Sequence, residues 1–132
     1  KDFVAWSHQQ AEYLKEKQFD KLDIEHLFEE IYDLAQNYKN PIQGHLKQVI
    51  AHLLKCKYQP SYYTKSWQDT IDAGRGEIRD MIEDCPSLWA YPKEVLGISY
   101  IRAVRLASKQ TGIEIRDFPK ECPWTLNEIL GE

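Results

Sequence analysis

Between Ile42 and Tyr58, His45, His52 and Cys56 recur at spacings that stack two imidazoles and a thiol along the edge of one helix. Those donor types bind zinc, and a histidine and a cysteine four apart on a helix can share one ion. Helical bundles build metal centres from inward side chains on facing helices. The preceding segment could add Glu25, Glu29, Glu30 or Asp33. Two features weigh against a centre here. His45 and His52 stand two helical turns apart, too far to hold one ion together, and the Glu-x-x-His pair of di-iron bundles is absent. The expectation is therefore that all three are border residues hydrogen-bonded to neighbouring helices, with no cofactor. A metal-dependent bundle enzyme is the alternative.

A second constellation follows in "HLLKCKYQPSYYTKSW". No carboxylate occurs from Leu34 to Gln68, although the chain as a whole carries 21 acidic and 17 basic residues. Lys39, Lys47, Lys55, Lys57 and Lys65 fall inside that stretch. Lys55, Lys57 and Lys65 interleave with Tyr63 and Trp67, and rings beside lysines are what single-strand binders offer to bases and phosphates. The bland reading is that Tyr58, Tyr62, Tyr63 and Trp67 cover the open end of a bundle while keeping polar tips in water. A net charge of −4 argues against nucleic acid, whose binders are usually basic over the whole domain. A docking surface for an acidic protein is the functional expectation for this patch. A weak single-stranded nucleic-acid binder is a further alternative.

A third candidate lies near the C-terminal end of the chain. Arg102, Arg105 and Lys109 share a helical face with Val95 and Ile98, and Ile101 stands close by. A purely solvated face has no need of those aliphatic residues, so Ile98, Ile101, Arg102 and Arg105 are expected to serve self-association or a protein partner. Catalytic motifs are missing: there is no G-x-S-x-G elbow, no phosphate-cradling glycine loop and no H-E-x-x-H.

The elements that must position these residues are helical, because apolar residues recur three and four apart almost everywhere. A first helix is expected from about Asp2 to Lys17, with Phe3, Trp6, Ala11 and Leu14 inward. A second starts at the cap Asp23, carries Ile24, Leu27, Phe28, Ile31, Leu34 and Tyr38 on one stripe, and ends at Asn40-Pro41. A third, from Ile42 to Tyr58, is central, with Ile42, Leu46, Val49, Ile50, Leu53 and Leu54 on its inner face. The fourth spans about Ser66 to Asp84, with Gly74 and Gly76 marking a bend or close contact, and with Arg75 and Arg79 paired to Asp72 and Glu83. A fifth runs from Pro92 to the cap Gly112. Thr125 to Glu128 reads as a capping box opening a short sixth.

A chain of 132 residues fits one domain, so residues 1–132 are expected to form a single all-α bundle of five or six helices, the last folded back on it. Residues 1–40 hold nine acids and five bases, and residues 41–79 six bases and three acids, so neighbouring helices could set opposite fields together. No apolar run reaches the ~18 residues of a membrane span. Three cysteines, none in a C-x-x-C pair, are read as free thiols, and a cytoplasmic protein without membrane contact is expected.

"LDIEHLFEEI" at Leu22–Ile31, "HLLKCKYQP" at His52–Pro60, "SW" at Ser66–Trp67 and "FPKECPWTLNEIL" at Phe118–Leu130 carry a resemblance over nearly the whole chain. In order and spacing they resemble the family catalogued as domain of unknown function number twenty-nine. The chain departs from that pattern at Cys56, where a large aromatic is common, and at Gly74 and Gly76. The resemblance implies a small, mostly helical bacterial protein of a kind abundant in cyanobacteria, and brings no activity, substrate or cofactor with it. The residues themselves point to a protein-interaction or binding module without catalytic activity, with a protein partner and association through the fifth helix.

Overall fold

The computed structural model describes residues 2–132. Among them there are helices and no strands: α1 (Phe3–Lys15), α2 (Ile24–Tyr58), α3 (Lys65–Asp84), α4 (Tyr91–Glu94), α5 (Leu96–Thr111) and α6 (Leu126–Leu130), joined by loops and short 3-10 turns. None of these helices is long and apolar enough to cross a membrane. Contacts group the chain into two compact units, Lys1–Asn37 and Tyr38–Glu132.

The first unit holds α1, a loop and the opening turns of α2. Asp2 caps α1, its Oδ1 accepting from the Ala5 N–H at 3.0 Å. Lys17 closes the helix in the left-handed region, φ 58°, a conformation that costs a residue with a Cβ roughly 1–2 kcal/mol. That turn lets the Gln18 N–H donate to the Tyr13 carbonyl at 2.8 Å and sends the chain back along α1. Asp23 then anchors the start of α2: its carboxylate accepts from Trp6 Nε1 at 3.0 Å and from the His26 backbone N–H at 3.4 Å, and its own N–H donates to Gln10 Oε1 at 2.8 Å. Gln10 is the buried residue of α1.

α2 overturns one sequence expectation. Asn40-Pro41 does not end a helix; a single helix of 35 residues runs through Pro41. Proline has no N–H for the carbonyl four residues back, which here is Asn37, and its ring crowds that carbonyl. The helix nevertheless persists because burial pins its far side: Ile42 and Leu46, directly after the proline, are fully buried. The boundary between the two contact units falls at Asn37, the residue whose carbonyl loses its helical donor.

The second unit is built around the C-terminal half of α2. Ile42, Leu46, Val49, Ile50 and Leu54 are fully buried and form one core with Ile71 and Ile78 of α3, Tyr100, Ala103, Val104 and Ala107 of α5, Phe118, and Ile129 of α6. The close approach expected at Gly74 is present: a Cβ there would lie 2.5 Å from Val49 Cγ2, so α3 crosses α2 where only glycine fits. Gly76 faces open space.

Two further expectations are corrected. The fifth helix is broken, with α4 and α5 meeting at Val95 (φ −102°, ψ 5°). Val95 is buried in the core and Gly97, a poor helix former, follows, so side-chain burial wins over helix continuity there. Arg75 forms no ladder along α3. Its Nε donates to the Ile129 carbonyl at 2.8 Å and its Nη2 to the Glu128 carbonyl at 3.1 Å, satisfying the free C-terminal end of α6. The capping box at the other end of α6 is formed, Thr125 and Glu128 exchanging bonds at 3.0 and 3.2 Å. The short helix is thus held at both ends and folded onto the core.

Candidate interaction surfaces

The metal-type residues of α2 are expected to bond to neighbouring helices, and His52 bonds instead within its own. His52 is buried and donates from Nδ1 to the Gln48 carbonyl of its own helix at 2.9 Å; burial lowers its pKa below the ordinary 6.5 and outweighs that hydrogen bond, which favours the protonated ring. Burial likewise raises the Cys56 thiol, and His45 is half-buried two turns before His52 on the same side of the helix. Among the described residues, no three His, Cys, Asp or Glu side chains gather as a ligand set. The three cysteines are free.

Three lysines of the carboxylate-free stretch lie against rings. Lys55 Nζ stands 4.7 Å from the Trp67 ring centroid and donates to Gln110 Oε1 at 3.1 Å. Lys57 stands 5.8 Å from the Trp124 ring, and Lys39 5.5 Å from Tyr91. Lys65 pairs with Asp69 at 3.4 Å, an exposed contact of little energetic weight. Tyr63 packs edge-on against Trp67 with centroids 6.3 Å apart. The quadrupole of an aromatic face attracts a cation as a carboxylate does, so Lys39, Lys55 and Lys57 are satisfied without acids. Lys55, Lys57 and Lys65 are therefore directed at three different partners, and only the Lys55–Trp67–Tyr63 group comes together.

The face of α5 is different. Ile98 and Ile101 are 42% and 49% exposed, and Arg102, Arg105 and Lys109 continue the same face. Val95, which the sequence places on that face, turns inward to the core. Arg102 reaches back to Gln43 Oε1 at 3.0 Å. Beside Ile101 lies a groove of about 580 Å³, floored by Val104, Phe118 and Pro119 and edged by Arg105, Arg116 and Lys120. Its wall is stiffened by Tyr100, whose hydroxyl donates to the Pro119 carbonyl at 2.6 Å and whose pKa burial raises to about 12. No carboxylate occurs within α5.

The most apolar exposed surface is one that sequence reasoning assigned to the core. Ile24, Phe28, Ile31 and Leu34 on α2, with Phe3 and Leu14 on α1, are exposed, as are Tyr32 and Tyr38. Phe28 and Tyr32 stack on each other with centroids 6.3 Å apart, making an aromatic ridge one turn long. Between α1 and α2 runs a groove of about 310 Å³ lined by Trp6, Ala11, Leu14, Leu27, Ile31 and Leu34. From Leu22 to Tyr38 the chain has five carboxylates and neither lysine nor arginine. The apolar period of this stretch was legible. What escaped sequence reasoning is that two helices and a loop supply no third layer to cover it.

The fold and these surfaces define an all-α protein organised on one long helix, with uncovered apolar faces of opposite charge. The chain belongs to the family described as Domain of unknown function DUF29, whose model matches residues 1–132. No curated protein and no solved structure matches it.

Proposed function

We propose that the protein is a protein-interaction module that acts by presenting helical surface rather than by catalysis. The observation that carries this reading is the uncovered stripe of α2, where Phe28 is 68% and Ile31 65% exposed within a run of like neighbours. Monomeric proteins rarely leave contiguous apolar patches of that kind in water, and when polar groups rim them they mark places where another chain sits. An amphipathic helix laid into the groove beside Trp6 and Leu27 would bury the stripe at i, i+3, i+4 and i+7 positions. A cytoplasmic site of action fits three unpaired cysteines.

The test is affinity purification from the native host of the parent and of a Phe28→Ser, Ile31→Ser variant. The variant is expected to fold as the parent does and to lose the proteins the parent retains. Retention of the same proteins in the same amounts would overturn the reading.

A further inference from the structure

The two faces are opposite in charge, and both expose large apolar side chains. The α2 stripe, Ile24 to Tyr38, is apolar, exposed, accompanied by the four carboxylates Glu25, Glu29, Glu30 and Asp33, and free of lysine and arginine. Glu25 and Glu29, four apart, follow its Phe28–Tyr32 edge. The α5 face presents exposed Ile98 and Ile101 with Arg102, Arg105 and Lys109, and no acid from Leu96 to Thr111. At 1.5 Å per residue the two faces are each roughly 22–24 Å long, so one can lie along the whole of the other.

We propose that the occupant of the α2 stripe is a second copy of this chain, docked through its α5 face, Ile98, Ile101, Arg102 and Arg105 against Phe28, Ile31, Glu25 and Glu29. This rests on the protein-interaction reading above and names the partner. Charge selects this pairing over the alternatives. Two α2 stripes face to face would bring eight carboxylates together with no base among them, and two α5 faces would oppose arginine to arginine. Like charges across an interface suppress a pairing, and opposite charges steer and register it. Each copy carries one stripe and one α5 face, so a pair of copies has both halves of the contact to exchange. The groove edged by Arg105, Arg116 and Lys120 widens the basic side and supplies an apolar floor for the Phe28–Tyr32 ridge.

Two charge-reversed proteins test the pairing without assuming that either one folds perfectly. Glu25→Lys with Glu29→Lys makes the stripe basic; Arg102→Glu with Arg105→Glu makes the α5 face acidic. Light scattering on a sizing column is expected to give twice the monomer mass for the parent and the monomer mass for each variant alone, a weakening on the order of tenfold or more. Mixed in equal amounts, the two variants set a basic stripe on an acidic face and an acidic stripe on a basic face, and the dimer is expected to return. A parent that is monomeric at every concentration, a dimer that survives either reversal, or a mixture that stays monomeric overturns the proposal. A monomeric parent whose host partners still depend on Phe28 and Ile31 would overturn self-association alone and leave the interaction reading standing.

Discussion

The two halves of α2 carry the same kind of apolar stripe and meet opposite fates. Ile42, Leu46, Val49, Ile50 and Leu54 are fully buried, whereas Ile24, Phe28, Ile31 and Leu34 are each more than 60% exposed. Periodicity made both halves helical. Only the C-terminal half found α3, α5 and α6 to cover it. The difference teaches that an amphipathic pattern reports a demand for a partner and says nothing of whether the chain itself supplies one.

The sharpest way to break this comparison is to truncate one residue in each half. Leu46→Ala removes a fully buried side chain from the core, and its unfolding free energy is expected to fall by about 2–5 kcal/mol in urea titration. Phe28→Ala, measured in dilute protein, is expected to change it by no more than about 0.5 kcal/mol. Equal losses at the two sites would show that the first unit has a cover of its own.

Glycines of α3 sharpen the same contrast within the second unit. Gly74→Ala drives a methyl into Val49, and is expected to destabilise by about 1–3 kcal/mol. Gly76→Ala meets nothing within 4 Å and is expected to stabilise by about 0.5–1 kcal/mol through helix propensity. Thermal melts of the two variants should move in opposite directions; a shared direction would mean that α3 does not cross α2 at Gly74.

Arg75→Met tests whether α6 belongs to the core unit through its carbonyl bonds. The expected cost is about 1–3 kcal/mol, with faster amide exchange confined first to Leu126–Leu130. Exchange spread evenly over the unit would assign Arg75 a different role.

The smallest effect is expected from pH. Buried His52 has a folded pKa below its ordinary 6.5, so the unfolded chain takes up a proton first as pH falls. Its contribution to stability is full above pH 6.5 and declines as pH drops through that value toward the folded pKa. His52→Gln should flatten the melting temperature between pH 7 and pH 5.5 relative to the parent. An unchanged slope would place the titration elsewhere.

The sequence alone determined the helical class, the central role of Ile42–Leu54, the glycine contact at Gly74, the Gly112 cap and the capping box at Thr125, because each follows from local spacing or backbone chemistry. Tertiary structure decided the rest. It carried α2 through Pro41, since the burial of Ile42 and Leu46 outweighs one missing hydrogen bond. It turned Val95 inward and broke the fifth helix. It gave Arg75 to the carbonyls of α6, and the lysines of the acid-free stretch mostly to rings, partners far apart in sequence that no helical spacing brings together. It also left the α2 stripe exposed, because exposure depends on what packs against a stripe and not on its own period.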